Sequence, residues 1–137
     1  MTHTTPFPRL TRIGLLSACL LLAAPVASAA ELPSASPETV GQALNSGRPT
    51  LLDLGARSCI PCKRMAPILA GLAETYRERA QVLFIDLHED EQAIKTWRIQ
   101  MYPTQIFFDA QGREVKRHIG FKDEAALVAE LAALGVE

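Results

Sequence analysis

Cysteine is scarce in this chain: there are three among 137 residues, at positions 19, 59 and 62. That count excludes a scaffold stapled by several disulfides. Zinc is excluded as well, because a structural zinc site takes four protein ligands and no second Cys or Cys/His pair stands ready to complete Cys59 and Cys62. His88 and His118 stand alone, without metal-ligand spacing. A basic excess is also missing. The net charge is −1, and losing Arg9 and Arg12 with an N-terminal leader would take it to −3, since all 15 acids lie beyond residue 30. Nucleic-acid binding, which wants a basic face, is therefore excluded. Beyond the first thirty residues there is no second long apolar run and no repeat, which leaves no second membrane span and no repeat array.

The apolar run that does exist lies at the start. Arg9 and Arg12, with no acid beside them, precede Ile13 to Val26, and Ala27-Ser28-Ala29 supplies small residues for cleavage. This is the composition of an export signal over residues 1–29. Two rival fates are a lipid anchor on Cys19, from the lipobox-like Leu16-Ser17-Ala18-Cys19, and retention of the uncleaved segment in the membrane. Residues 30–137 then form one small domain, enough for a single core. Glu31 to Ser36 reads as a mobile lead to it.

Cys59-Ile60-Pro61-Cys62 is a dithiol set where an apolar strand gives way to a helix. Thiol–disulfide exchange needs a thiolate, and a helix N-terminus favours one by aiming free backbone N–H groups and the positive end of the dipole at sulfur. Cys59 stands where that help is greatest. Cys62 can reach back across one turn as the resolving thiol, and Pro61 is tolerated in a first turn. A purely structural bridge makes little sense at this spacing, because so short a loop contributes little chain entropy.

Around the dithiol, Thr50-Leu51-Leu52-Asp53-Leu54 reads as a buried strand that contains a costly carboxylate. Burial would raise the pKa of Asp53, so that it could take and return the proton of Cys62. The bland alternative is a strand-end Asp facing solvent. Lys63 to Arg79 predicts a helix with an apolar stripe of Met65, Ile68, Leu69, Leu72 and Tyr76, kinked at Pro67. Val82 to Asp86 predicts a second strand and Asp90 to Trp97 a short helix. Thr104 to Phe108 and Glu114 to Ile119 complete the strands, and Asp123 caps a final helix ending near Gly135. In Met101-Tyr102-Pro103-Thr104 the proline either marks a strand's start or forms a cis bond that exposes the Tyr102 backbone to an incoming peptide.

Asp53, the Cys59/Cys62 pair followed by Lys63, Pro67, the Pro103-Thr104 step before an aromatic strand, and Gly120 after the last strand occur together and in order. Over roughly Pro37 to Val136 the chain resembles the thioredoxin family. The resemblance implies an α/β thioredoxin fold, a central mixed sheet flanked by helices. It implies Cys59 as nucleophile, Cys62 as resolving thiol with which it forms the redox-active disulfide, Asp53 as proton acceptor, and Pro103 as a cis proline facing that disulfide. Tyr102, Pro103, Ile60 and Pro61 would then meet the substrate. Departures from the family include Ser58 where a Trp is usual, Ile60-Pro61 for Gly-Pro, and Val82-Leu83-Phe84 without the lysine often found near the buried Asp. The histidine of disulfide isomerase motifs is absent too, which implies a less oxidising disulfide.

The expectation is a periplasmic, monomeric thiol–disulfide oxidoreductase that reduces or shuttles electrons to protein disulfides. It needs no cofactor or metal, and a membrane electron-donor protein recharges it. The rivals are a dithiol oxidase or isomerase of secreted proteins, and a binding or assembly module with a vestigial dithiol.

Overall fold

The computed structural model describes residues 1–2 and 31–137. The expected export leader, with Arg9, Arg12 and Cys19, falls outside the described residues, apart from Met1 and Thr2. Eight elements follow in the order α1 (Pro37–Leu44), β1 (Thr50–Gly55), α2 (Ile60–Tyr76), β2 (Gln81–Asp86), α3 (Gln92–Thr96), β3 (Thr104–Phe108), β4 (Glu114–Ile119) and α4 (Glu124–Ala133). No helix among the described residues is long and apolar enough to cross a membrane.

The strands lie in the order β2-β1-β3-β4. β1 pairs with β2 in parallel, so a crossover must join them, and α2 supplies it. β1 pairs antiparallel with β3, and β3 with β4, which makes the sheet mixed. Alternation along the inner strands then divides the core in two. Leu51, Val82 and Phe107 point to one face, where Met65, Leu69 and Leu72 of α2 meet Leu127 and Leu131 of α4. Leu52, Leu54, Ile106 and Phe108 point to the other, against Val40 of α1 and Ala93 of α3. Asp53 has the same parity as Leu51 and therefore lies on the face covered by α2. β4, at the sheet edge, is largely exposed.

Three sequence expectations need correction. The lead Glu31 to Ser36 is docked rather than mobile: Ser34 forms a parallel bridge with Phe84, and the Ala35 N–H donates to the Phe84 carbonyl at 2.7 Å. β2 would otherwise present an open edge, and these few residues satisfy part of it. α2 starts at Ile60 instead of Lys63, because Cys59 serves as its N-cap, and it ends at Tyr76 instead of Arg79. The helix is continuous across Pro67, which is exposed. α1 went unread in the sequence, although the Ser36 hydroxyl accepts from the Thr39 N–H and Pro37 occupies the first turn. The end of the chain is as expected. Asp123 accepts from the Ala126 N–H at 2.8 Å, a cap of about 1 kcal/mol, and Gly135 ends α4 with φ +83°.

Candidate active site

β1 delivers the chain to the site. After Gly55 it turns through Ala56, Arg57 and Ser58 and enters α2, with the Cys59 N–H donating to the Ala56 carbonyl at 3.0 Å. Cys59 and Cys62 are joined by a disulfide, their Cα atoms 5.2 Å apart. As the N-cap, Cys59 presents its Sγ to the backbone, and the Cys62 N–H donates to it at 3.3 Å. That contact and the helix dipole both favour negative charge on Cys59 once the bond is reduced. The first turn contains no acid to oppose them, while Lys63 and Arg64 follow directly. The two sulfurs differ in access. Cys59 is partly exposed, whereas Cys62 is 5% exposed.

Room for Cys62 comes from a missing side chain. A Cβ on Gly55 would lie 3.0 Å from Cys62 Sγ and 3.4 Å from the Phe84 ring, closer than ordinary van der Waals contact at the sulfur. The strand end and the resolving thiol fit together because residue 55 is glycine.

Asp53 sits beneath, buried to 1% exposure, and lines with Cys62 a cavity of about 20 Å³, room for about one water. Phe84, Arg57, Lys63 and Leu32 line the same cavity. One carboxylate oxygen, Oδ1, accepts from Gln105 Nε2 at 2.8 Å; the other has no hydrogen-bond partner among the described residues. Burial pushes this carboxyl up from the usual 3.8 to about 7, against the lowering effect of the Gln105 hydrogen bond. The family's lysine is indeed missing, and Phe84 pairs with Asp53 in register. A cation does approach Phe84, since the Arg57 guanidinium lies 5.2 Å from its ring centroid. That guanidinium is already engaged by Glu31 at 3.0 Å and by the Leu32 carbonyl at 3.1 Å.

The Tyr102–Pro103 peptide is cis. Pro103 directly precedes Thr104, which pairs with Leu54 one residue before Gly55, so the loop lies at the same end of the sheet as Cys62. The Thr104 hydroxyl donates to the Met101 carbonyl at 2.6 Å, and the Gly120 N–H donates to the Pro103 carbonyl at 2.8 Å. Large apolar side chains are exposed here on both segments: Ile60 at 75%, Met101 at 63% and Tyr102 at 40%. Pro61 is half-buried in the first turn of α2.

The thioredoxin family profile matches residues 33–133. The chain belongs to the thioredoxin family. A thioredoxin of Alicyclobacillus acidocaldarius is 35% identical over 91 residues, covering 66% of this chain and 86% of that one. A thioredoxin of Mycobacterium bovis is 35% identical over 89 residues, covering 65% and 76%. Among solved structures, a point mutant of a thioredoxin from Halobacterium salinarum superposes with a TM-score of 0.68 at 25% identity, covering 80% of this chain and 94% of that one. With its CxxC pair in place at the head of α2, this thioredoxin-family protein is a thiol–disulfide oxidoreductase.

Sequence reasoning missed Gly55, Arg57 and Gln105. Gln105 left a signal, a polar residue inside the apolar run Ile106-Phe107-Phe108 and its approach, comparable to that of Asp53. The role of Gly55 left none, because it depends on how closely α2 approaches the strand end.

Proposed function

We propose that this thioredoxin-family protein is exported to the periplasm, there to reduce, or carry electrons to, the disulfides of other proteins. The observation that carries the reading is the unequal pair at the head of α2, a partly exposed Cys59 capped by backbone N–H and a buried Cys62 that shares a cavity with Asp53. In the dithiol form the Cys59 thiolate attacks one sulfur of a substrate disulfide. A mixed disulfide forms, and the other substrate sulfur leaves as a thiolate that takes a proton from solvent. Cys62 then gives its proton to the Asp53 carboxylate and attacks Cys59 Sγ. The Cys59–Cys62 bond forms, the second substrate sulfur leaves, and Asp53 returns the proton to it. The substrate gains two electrons and two protons. A carboxyl with a pKa of about 7 suits this work, since near neutral pH it both accepts and releases protons.

Tyr102, Pro103, Met101, Ile60 and Pro61 form the platform for the substrate polypeptide. Pro103 is buried and Pro61 half-buried, and the exposed apolar surface of Ile60, Met101 and Tyr102 supports binding of extended protein segments around a disulfide. Export rests on the composition of residues 1–29. A reductant outside the cytoplasm must be recharged, so its electron source is a membrane protein that passes electrons inward-to-outward by dithiol exchange.

The test is insulin disulfide reduction with dithiothreitol as donor. Cys59→Ser should abolish turnover, and Cys62→Ala should accumulate mixed disulfides through Cys59. A Cys59→Ser protein that kept wild-type rates would show that Cys59 is not the nucleophile, and a wild-type protein with no turnover above the dithiothreitol background would leave a binding module. Equilibration with glutathione then decides direction: a potential near or above that of the glutathione pool would make the protein an oxidase and overturn the reductase assignment.

A further inference from the structure

Arg57 stands two residues before Cys59 and lines the cavity that Cys62 shares with Asp53. Its guanidinium donates through Nη1 to Glu31 Oε2 at 3.0 Å and through Nη2 to the Leu32 carbonyl at 3.1 Å. On its other edge, Nε lies 3.6 Å from Asp86 Oδ2 and 3.7 Å from Glu89 Oε1. The flat group rests over the ring of Phe84, the residue paired with Asp53. One side chain thus joins the docked lead, the loop before the nucleophile and the end of β2. Holding a carboxylate and a carbonyl at once takes the planar fork of a guanidinium, which the point charge of an ammonium does not reproduce.

We infer that Arg57 is a positioning residue for proton transfer between Cys62 and Asp53: it fastens the docked lead as one wall of the cavity those two side chains share. The inference rests on Asp53 being the proton acceptor for Cys62. Leu32 is the wall, since it lines that cavity, packs against the core cluster beneath α2 and gives its carbonyl to Arg57. Farther along, the lead is secured without Arg57. Ser34 and Ala35 pair with β2 through the main chain, and the Ser34 hydroxyl accepts from the Asp86 N–H at 2.9 Å. Glu31 and Leu32 lie before those bonds, and among the described residues their polar contacts with the rest of the fold go to Arg57. Without that grip the start of the lead would swing away at Leu32 and open the cavity to water.

Two effects of Arg57 on Asp53 have opposite signs, which makes them separable. As a cation it would favour the ionised carboxyl and hold the pKa down; as the fastening of a wall it keeps water out and holds the pKa up. The second dominates, because the guanidinium is faced by three carboxylates, Glu31, Asp86 and Glu89, while burial is the leading cause of the raised Asp53. The other groups around Asp53 are Cys62 and Lys63 from α2 and the uncharged Phe84 and Gln105 from the flanking strands, with His118 one strand beyond Gln105.

The experiment is a carboxyl NMR titration of Asp53 in the oxidised full-length protein and its variants. Arg57→Lys keeps the charge and loses the fork, so the Asp53 midpoint should fall by about one pH unit, about tenfold in proton affinity. Leu32→Ala, which removes the wall and touches no charge, should lower it as well. Combining the two should add little to the larger single shift, since both act through one contact. The loop keeps its own anchor in these variants, because the backbone N–H of residue 57 donates to Asp86 Oδ2 at 3.3 Å. An unchanged or raised midpoint in Arg57→Lys, or fully additive shifts in the double variant, would overturn the inference. Lost packing alone would lower stability without moving the titration. The acceptor role is read separately, by turnover of Asp53→Asn: normal turnover there would overturn the mechanism, whereas an unmoved titration in Arg57→Lys would overturn only the role of Arg57.

Discussion

Replacing Asp53 with asparagine separates what this carboxylate costs the fold from what it contributes to the reaction. Burial lifts the carboxyl from 3.8 to about 7, and at about 1.4 kcal/mol per unit this sets a ceiling of about 4 kcal/mol on the destabilisation. The sign follows from which state holds the proton. Below about pH 4 both folded and unfolded chains are protonated, and there is no penalty. Between about pH 4 and 7 the unfolded chain releases its proton first, so stability falls as pH rises; above about pH 7 the loss is complete and flat. Asparagine has no proton to hold, and its Oδ1 still accepts from Gln105. The variant should therefore be about 2–4 kcal/mol more stable than wild type at pH 8, a rise of roughly 10 °C or more in Tm for a domain of this size, and nearly equal to it at pH 4. Urea unfolding of both oxidised proteins at pH 4, 6 and 8 measures this directly. At pH 7 the same variant should resolve mixed disulfides about 100-fold more slowly. A stability difference of the same size at pH 4 and pH 8 would refute the reasoning, because a mutation that only altered packing would have no pH dependence.

Two further outcomes follow from the site geometry. Gly55→Ala places a methyl 3.0 Å from Cys62 Sγ, so the oxidised fold should lose about 1–3 kcal/mol as the sulfur or the helix start gives way; thermal melting reads the loss, and an unchanged Tm would show that α2 stands farther from β1 than described. Tyr102→Ala removes an exposed apolar group of the proposed platform, so KM for insulin should rise severalfold while the rate with a small aromatic disulfide stays the same; equal effects on both substrates would place Tyr102 in the chemistry or the fold instead.

The strands and the dithiol were legible because their signals are local. Thr50 to Leu54 and Thr104 to Phe108 are short apolar runs bounded by turn residues, and both became strands within one residue of the expected bounds. What escaped is written in backbone pairing or in register. The docked lead is held by main-chain bonds of Ser34 and Ala35 to β2, which leave no side-chain pattern. α1 buries only Val40 and Ala43, too sparse a stripe to announce a helix among its Pro and Ser neighbours. α2 began early because a cysteine took the capping position usually given to Ser, Thr, Asp or Asn. The pairing of Gln105 with Asp53 spans 52 residues of sequence.

The register also accounts for the chain's departure from its relatives' pattern. Where the family often supplies a lysine beside the buried carboxylate, Phe84 closes that side, and the guanidinium lying over its ring is committed to Glu31 and the Leu32 carbonyl. Asp53 is left with one neutral donor and no ion pair. Its proton affinity is then governed by how well the sheet, α2 and the docked lead exclude water, and by which end of the Gln105 amide it meets. A cation would hold such a carboxyl ionised at neutral pH and spare the fold most of the cost; a neutral amide leaves it near 7, where it can both receive the proton of Cys62 and give it up. The stability lost at Asp53 and the proton transfer proposed for it thus have one origin, a carboxyl buried without a charged partner.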